Sequence, residues 1–329
     1  MNYKLTTSCI VIIASFLAMS ATTGGVVGED RLVRRQNIII RFPNGGPDLQ
    51  FYGKVDENDT NQRWRYTLAW QELLEYEDTN QNGAYDPLND TLVHQVNLRT
   101  LTYDFSSPVV NLTGISGEMV TGRHFEFVGS FLLNSTEVEV RLLAGWWEGA
   151  VLHPYGNDTV VVGEQEAKFA VEVTGWSFSN QTNRLALVVQ VLTTTPVAKY
   201  DVSYHTNGTF SMITKEDPDG MGKRGGIINN PSKVFLDNES WGEVNLAVGQ
   251  NSSSVQLQYN FGAFTESLLY DPTYSAVASV VGMTTTTGDI TGDTETNVGE
   301  DDNTAIPGFL VPMLGVALVV LRRLPRRGS

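Results

Sequence analysis

Cysteine is almost absent from this chain, since Cys9 is the only one among 329 residues. It lies in an N-terminal apolar run that follows Lys4 and precedes small residues, a layout typical of a secretory signal peptide over residues 1–21. The mature chain would then have no thiol, no disulfide and no cysteine metal site. Rigidity must therefore come from a sizeable core, bound cations or attached glycans.

Basic residues are also scarce. The chain has 22 Lys and Arg against 37 Asp and Glu, and its formal net charge is −15. Because a nucleic-acid-binding surface needs clustered Lys and Arg, this balance argues against nucleic acid as a partner. An acidic exported chain is compatible with solubility and with cation binding.

Catalytic motifs are missing from the sequence. The histidines His94, His124, His153 and His205 stand isolated, and none belongs to a His-Glu-x-x-His pair. The Gly-x-Ser-x-Gly elbow and the glycine patterns of nucleotide-binding loops do not occur. We therefore expect no enzymatic activity.

The C-terminal part consists of three compositional segments. Residues 281–305 are rich in Thr, Gly, Asp and Glu, which predicts a disordered, solvated stalk. Residues 306–323 hold a short apolar run that ends in arginines, and residues 324–329 form a basic end. Positive charge after an apolar run is typical of the cytoplasmic end of a transmembrane helix. These segments predict a C-terminal membrane anchor or sorting tail, with the N-terminus outside the cell.

The tripeptide Pro307-Gly308-Phe309 opens this apolar run. With the acidic stalk before it and the arginines after it, the tail resembles the PGF-type C-terminal sorting signals of archaeal surface proteins. The resemblance covers the tail only, and it implies processing by an archaeosortase and a lipid anchor at the cell surface. A permanent single-pass anchor and a GPI-type tail are the alternatives.

Between the two ends, a hydrophobic period of two predicts an all-β fold, an antiparallel β-sandwich. The clearest strand patterns cover residues 123–133, 137–147, 167–176, 184–195 and 254–261. We assign residues 22–36 to a linker and residues 37–195 to a β-sandwich that includes the loop described below. Residues 196–280 form a second sandwich or a continuation of the first. The segment 63–78 is compatible with either helix or strand.

Nine Asn-x-Ser/Thr sequons without proline are spread over the β region and do not occur in the stalk. They begin at Asn58, Asn89, Asn111, Asn134, Asn157, Asn180, Asn207, Asn238 and Asn251. In an exported chain this density predicts a glycosylated surface protein. Each used site must then lie on an exposed loop or strand end, where a glycan has room.

An oxygen-rich loop lies between two predicted strands. Its candidate calcium ligands, through side-chain oxygens or the alanine carbonyl, are Asp78, Asn80, Asn82, Ala84, Asp86 and Asp90. Their spacing around Gly83 matches an Asp-x-Asn-x-Asn-Gly calcium loop, in which the glycine allows the sharp turn. Calcium takes oxygen ligands, so these residue types suit it. A plain polar turn is the alternative, because Asp, Asn and Gly are ordinary turn residues.

Over residues 78–90 the chain resembles the EF-hand-like loops of extracellular proteins. It departs from them where the last bidentate glutamate is replaced by Asn89, which also opens a sequon. A glycosylated asparagine would be a poor ligand, so the adjacent Asp90 is the preferred last ligand. The resemblance implies weak Ca²⁺ binding, with a Kd of about 10⁻⁴–10⁻³ M, in a metal-tied hairpin.

The leading hypothesis is a membrane-anchored, N-glycosylated cell-surface protein with a calcium-stabilised β-sandwich ectodomain and a structural or adhesive role. Its partners would be the membrane, through the C-terminal segment, and surface proteins or glycans, through exposed loops. The alternative is a carbohydrate-binding module or secreted glycoside hydrolase. In that alternative Trp146, Trp147 and Trp176 would stack on sugar rings, and Glu148 would supply a carboxylate.

Overall fold

A computed structural model describes residues 32–34, 38–42, 48–53, 65–194, 196–216, 223–252 and 254–278. The predicted signal peptide, stalk and membrane anchor therefore lie outside the described residues, as does Asn58. Within these ranges, two short 3-10 helices, Leu98–Thr100 and Val197–Lys199, interrupt a backbone that is otherwise built of strands and connecting turns and loops.

The prediction of an all-β, antiparallel fold is confirmed. All the strand pairs found among the described residues are antiparallel. Each of the five clearest sequence patterns coincides with a strand, because alternating apolar residues bury one face of a pleated chain.

The strands are numbered in chain order. The first eleven are β1 (Leu32–Arg34), β2 (Ile38–Arg41), β3 (Leu49–Gly53), β4 (Tyr66–Glu77), β5 (Thr91–Asn97), β6 (Tyr103–Ser106), β7 (Val109–Thr113), β8 (Met119–Leu133), β9 (Thr136–Trp147), β10 (Val151–Tyr155) and β11 (Asp158–Val162). The others are β12 (Glu166–Thr174), β13 (Arg184–Thr193), β14 (Tyr200–Tyr204), β15 (Thr209–Thr214), β16 (Arg224–Asn229), β17 (Lys233–Leu236), β18 (Ser240–Gln250), β19 (Ser254–Phe261), β20 (Ser267–Tyr270) and β21 (Thr273–Ala278).

We divide the strands into two sheets that share β18, and β10 and β11 form a separate two-stranded sheet. In sheet 1, β13 pairs with β4 on one side and with β19 on the other, and β18 borders β19. In sheet 2, β9 lies between β8 and β12, and β20 and β21 share the outer edge of β12. The strand β18 links the two sheets, because its first residues pair with β17 of sheet 2 and the remainder pair with β19.

The ambiguous segment 63–78 forms the strand β4. Its pairings Trp70↔Val189 and Glu72↔Val188 leave Gln71 without an opposite residue, which is a β-bulge. The bulge shifts the alternation of the side chains along β4. As a result Trp70 and Leu73 both join the main core, whereas the residues that follow contribute to a second apolar group. That group, here called the outer cluster, consists of Leu74, Tyr76, Ala186 and Val188.

Buried apolar side chains of both sheets belong to one main core. Sheet 1 contributes Leu68, Trp70, Leu185, Leu187, Val189, Val191 and Leu257, among others. Sheet 2 contributes Phe125, Phe127, Val138, Val140, Leu142, Phe169, Val171, Val173 and Leu268, among others. Strands before and after residue 196 also pair directly, as β13 does with β19 and β12 with β20.

Core packing on β13 generates a stability prediction. Leu187 is 2% exposed in the main core, and Leu132 of β8 is 74% exposed. We expect Leu187→Ala to lower the free energy of unfolding by about 2–5 kcal/mol, because it leaves a cavity. The matched control Leu132→Ala should change it by less than about 0.5 kcal/mol. Chemical denaturation measures the free energy of unfolding of both variants. Equal losses would contradict the placement of Leu187 in the core and of Leu132 at the surface.

Candidate functional site

The oxygen-rich loop closes a hairpin between β4 and β5. The pairing Glu77↔Thr91 brings the two ends of the loop side by side, as the strand-like flanks predict. On its inner side, Tyr85 packs against the outer cluster, with its ring 5.2 Å from that of Tyr76. The loop therefore rests on apolar surface.

Asp78 holds the first turn of this loop. Its Oδ1 accepts a hydrogen bond from the backbone N–H of Asn82 at 3.1 Å, and its Oδ2 accepts one from Gly83 at 2.8 Å. The turn is sharp, with φ values of 57° at Gln81 and 78° at Gly83. Glycine adopts this left-handed conformation without a steric penalty, which explains the residue type at the centre of the loop.

Asp90 ties the two ends of the loop together. Its Oδ1 accepts a hydrogen bond from the backbone N–H of Thr79 at 3.0 Å, and its Oδ2 accepts one from Asp86 at 2.7 Å. Asp86 in turn accepts hydrogen bonds from the backbone of Leu88, at 2.9 Å, and from the side-chain amide of Asn89. Because hydrogen bonds to ionised carboxylates are stronger than neutral ones, the loop is stabilised by its own acidic residues.

All six predicted ligands belong to one hydrogen-bonded loop. The Asn80 side-chain oxygen accepts from the backbone of Asn82 at 3.0 Å, and the Asn82 oxygen accepts from that of Ala84 at 2.7 Å. The side-chain and carbonyl atoms that could coordinate a cation are all oxygens, and calcium prefers oxygen ligands. Across the ranges the structure describes, however, no group of three or more His, Cys, Asp or Glu side chains is placed to hold a metal ion.

A cationic group also lies beside the loop. Arg184 Nε is 4.0 Å from Asp78 Oδ2, and the Asp78 side chain is only 10% exposed. The guanidinium therefore supplies positive charge close to the first carboxylate of the loop. A cation bound there would have to share this carboxylate with Arg184, which weakens the attraction that Asp78 offers.

The loop is anchored to sheet 1 by amide side chains that sequence reasoning missed. Asn260, fully buried on β19, accepts hydrogen bonds at its Oδ1 from the Tyr76 hydroxyl at 3.1 Å and the Tyr85 backbone at 3.0 Å. Gln258 donates to the Tyr85 carbonyl at 3.0 Å, and Asn245 of β18 donates to the Asn82 carbonyl at 3.0 Å. These anchors lie far along the chain, so no local pattern could have revealed them.

Sequon asparagines lie on the surface. Of the nine, Asn58 is outside the described residues, and the other eight are all exposed. Several occupy tight turns between paired strands, for example Asn134, with a φ of 50°, and Asn238, with a φ of 56°. Asn207 and Asn157 lie in comparable turns. Their side chains are open to solvent, as attachment of a glycan requires.

The three tryptophans of the sugar-binding alternative are core residues. Trp146, Trp147 and Trp176 are 5%, 1% and 2% exposed, so none presents an open ring face to a sugar. Trp176 donates from its indole N–H to the buried carboxylate of Glu75 at 3.2 Å. Glu148 is exposed, but these three buried indoles do not form a surface beside it on which a sugar ring could stack.

A second group of polar side chains comes together where β10 meets sheet 2. Two histidines that are isolated in the sequence are neighbours there, since the rings of His124 and His153 are 6.3 Å apart. His153 Nδ1 is 3.6 Å from Asp271 Oδ2, and Lys168 Nζ is 3.0 Å from the same oxygen. We call His124, His153, Lys168 and Asp271 the buried polar cluster. Its members come from β8, β10, β12 and the β20–β21 connection, so their spacing in sequence carries no signal.

Burial sets the protonation of these histidines. It lowers the pKa of His124 to about 4 and that of His153 to about 3. Lys168 reinforces the shift at His153, because a nearby positive charge disfavours protonation. Both imidazoles are therefore neutral at pH 7, and neither adds positive charge to the cluster.

Comparisons with known proteins give no family for this chain. No protein-family model matches it, and no curated protein matches it. Within the described ranges, no helix has the length and apolar character needed to cross a membrane. The predicted anchor, residues 306–323, is not among those residues.

The turn at Gly83 generates a prediction about the loop. A Cβ added there would lie 2.8 Å from Asn245 Nδ2, and the φ of 78° disfavours any residue with a side chain. We expect Gly83→Ala to lower the free energy of unfolding by about 1–2 kcal/mol. Gly262 has open space around its Cα and no left-handed φ, so Gly262→Ala is the matched control. Chemical denaturation measures the free energy of unfolding of both variants. A smaller loss for Gly83→Ala than for Gly262→Ala would contradict the left-handed turn at Gly83.

Proposed function

We propose that this chain is a membrane-anchored, N-glycosylated cell-surface protein with a structural or adhesive role. The observation that carries the proposal is the exposure of all eight described sequon asparagines around one apolar core. Such a surface can accept many glycans without disturbing the strands, because these asparagines already lie at exposed positions. The predicted signal peptide and C-terminal tail supply the route to the surface and the attachment there.

We further propose that the β region is a single sandwich. Trp70 of β4 contacts Phe169 of β12 with ring centroids 6.3 Å apart, and Phe51 of β3 stacks on Tyr274 of β21 at 3.9 Å. Contacts of this kind join sheet 1 to sheet 2 through their side chains, as inner faces do in a sandwich. Because strands pair across residue 196, residues 196–280 would continue the first sandwich.

The oxygen-rich loop would be a weak calcium site. Carboxylates of Asp78, Asp86 and Asp90, amides of Asn80 and Asn82, and the Ala84 carbonyl are the groups that would hold the ion. When bound, Ca²⁺ would supply positive charge to a loop whose acidic residues lie close together. The Arg184 guanidinium beside Asp78 and the neutral amides keep the affinity low. The expected Kd is about 10⁻⁴–10⁻³ M.

Binding of the ion to the folded state predicts a shift in melting. At a Ca²⁺ concentration of 100 times the Kd, the full chain should gain about 2.7 kcal/mol of stability relative to the chain in chelator. Asp86→Asn keeps an acceptor for the Leu88 backbone but loses a charge, so it should reduce this gain. Asp201→Asn, on an exposed position of β14, is the control and should keep it.

Scanning calorimetry in Ca²⁺, in Mg²⁺ and in chelator measures the effect. An identical unfolding transition in all three solutions would contradict calcium binding by the loop. The proposed surface location does not depend on calcium binding and would not be affected. A gain in Ca²⁺ that Asp86→Asn leaves unchanged would place the ion elsewhere.

Surface location and glycosylation are tested on the native protein. We expect mass spectrometry of material from isolated cell envelopes to show cleavage near residue 21 and glycans on sequons such as Asn134 and Asn238. The same spectra report whether the tail after Phe309 is retained, which separates a single-pass anchor from a processed one. Recovery from the cytosol with Met1 retained and unmodified asparagines would overturn the proposal.

A further inference from the structure

Lys168 and Asp271 face each other inside the protein. Their side chains are 5% and 3% exposed, and Lys168 Nζ lies 3.0 Å from Asp271 Oδ2. The same nitrogen donates to the Asp271 carbonyl at 2.6 Å and to Thr273 Oγ1 at 3.1 Å. The Tyr155 ring, centred 5.8 Å from Nζ, covers the amine. An amine and a carboxyl group are therefore held in contact in a site that excludes bulk water.

The carboxyl half of this ion pair is poorly compensated. Within the part of the chain that the structure describes, Asp271 Oδ1 is buried and accepts no hydrogen bond. The other buried carboxylate, Glu75, accepts hydrogen bonds from the Trp176 indole, the Ser179 backbone and the Asn183 amide. Removing two charges from water is costly unless further hydrogen bonds satisfy them. Lys168 has that support from the Asp271 carbonyl and Thr273, but Asp271 Oδ1 lacks it.

Strand pairing fixes the two groups relative to each other. Lys168 lies opposite Thr273 in the β12–β21 pairing, and Val171 lies opposite Tyr270 in the β12–β20 pairing. Asp271 sits between these two anchor points, so its backbone has little freedom to move away. Held reacting groups react as if they were present at very high concentration, with effective molarities of about 10⁵–10⁸ M.

We propose that Lys168 and Asp271 condense to form an intramolecular amide cross-link. The reaction joins Lys168 Nζ to Asp271 Cγ and releases one oxygen of the carboxyl group as water. The backbone of β12 would then be covalently connected to the β20–β21 connection. In a mature chain without cysteine, this bond would supply the kind of covalent tie that disulfides give other exported proteins.

The step balances without any further reactant. A proton passes from the Lys168 ammonium to the Asp271 carboxylate, and this gives a neutral amine and a neutral acid. Burial favours that acid, because it raises the pKa of Asp271 in spite of the opposing attraction of Lys168. The amine lone pair attacks Cγ, the Cγ–Oδ2 bond breaks, and Oδ2 leaves with two protons as water. Nothing is oxidised or reduced.

His153 lies beside the pair without joining it by a hydrogen bond. Its Nδ1 is 3.6 Å from Asp271 Oδ2, which is beyond hydrogen-bonding distance. Because burial lowers the pKa of His153 to about 3, the imidazole carries no charge at pH 7. It therefore adds no positive charge that would hold Asp271 in its ionised form.

Peptide mapping of the purified full chain tests the proposal directly. After denaturation and trypsin digestion, we expect cleavage after Lys168 to be lost. The peptides that contain Lys168 and Asp271 should appear as one species, lighter than their sum by the mass of one water. Fragmentation should place the bond between these two side chains. Recovery of both peptides separately and at full mass, from protein that was folded before digestion, would overturn the proposal.

Two substitutions serve as matched controls. Lys168→Arg keeps the positive charge, but a guanidinium stays protonated and does not attack a carboxyl group, so the cross-linked species should disappear. Lys233→Arg changes an exposed lysine on β17 and should leave it intact. If a variant fails to fold, the peptide masses of the wild-type chain still show whether the Lys168–Asp271 amide is present.

Discussion

The central strand β13 is hydrogen-bonded along its length to β4 on one side and to β19 on the other. Both of its faces are apolar. Leu187 and Val189 enter the main core, and Ala186 and Val188 enter the outer cluster. The hairpin loop rests on the outer cluster and is anchored by Asn260 of β19. The fold and the candidate calcium loop therefore depend on the same three-strand unit.

Among the described residues, the two buried carboxyl groups Glu75 and Asp271 have different surroundings. Glu75 is surrounded by three donors from the segment that follows β12, so both of its oxygens accept hydrogen bonds. Asp271 has one lysine and a neutral histidine for neighbours. A carboxylate in the first setting contributes to stability as an acceptor. In the setting of Asp271, burial favours the neutral carboxylic acid over the carboxylate. The proposed amide formation requires that neutral acid.

Sequence patterns predicted β8, β9, β12, β13 and β19, because alternation is a local property. They also predicted strand-like flanks for the oxygen-rich loop and left the segment 63–78 undecided, but they did not single out short strands such as β10 and β17. The bulge at Gln71 was beyond such reasoning, since it depends on the partner strand. The amide anchors and the buried polar cluster were missed for the same reason. His124 and His153 stand isolated in the sequence, but β8 and β10 bring their rings to within 6.3 Å of each other.

The shared strand β18 has a consequence for how the molecule opens. Residues Ser240–Glu243 are hydrogen-bonded to β17, and residues 244–250 are hydrogen-bonded to β19. Because one continuous strand pairs with both β17 and β19, separation of β18 from one neighbour would also weaken its hydrogen bonds to the other. Amide protons in the two sheets should therefore exchange with solvent as one cooperative unit rather than as two separate ones.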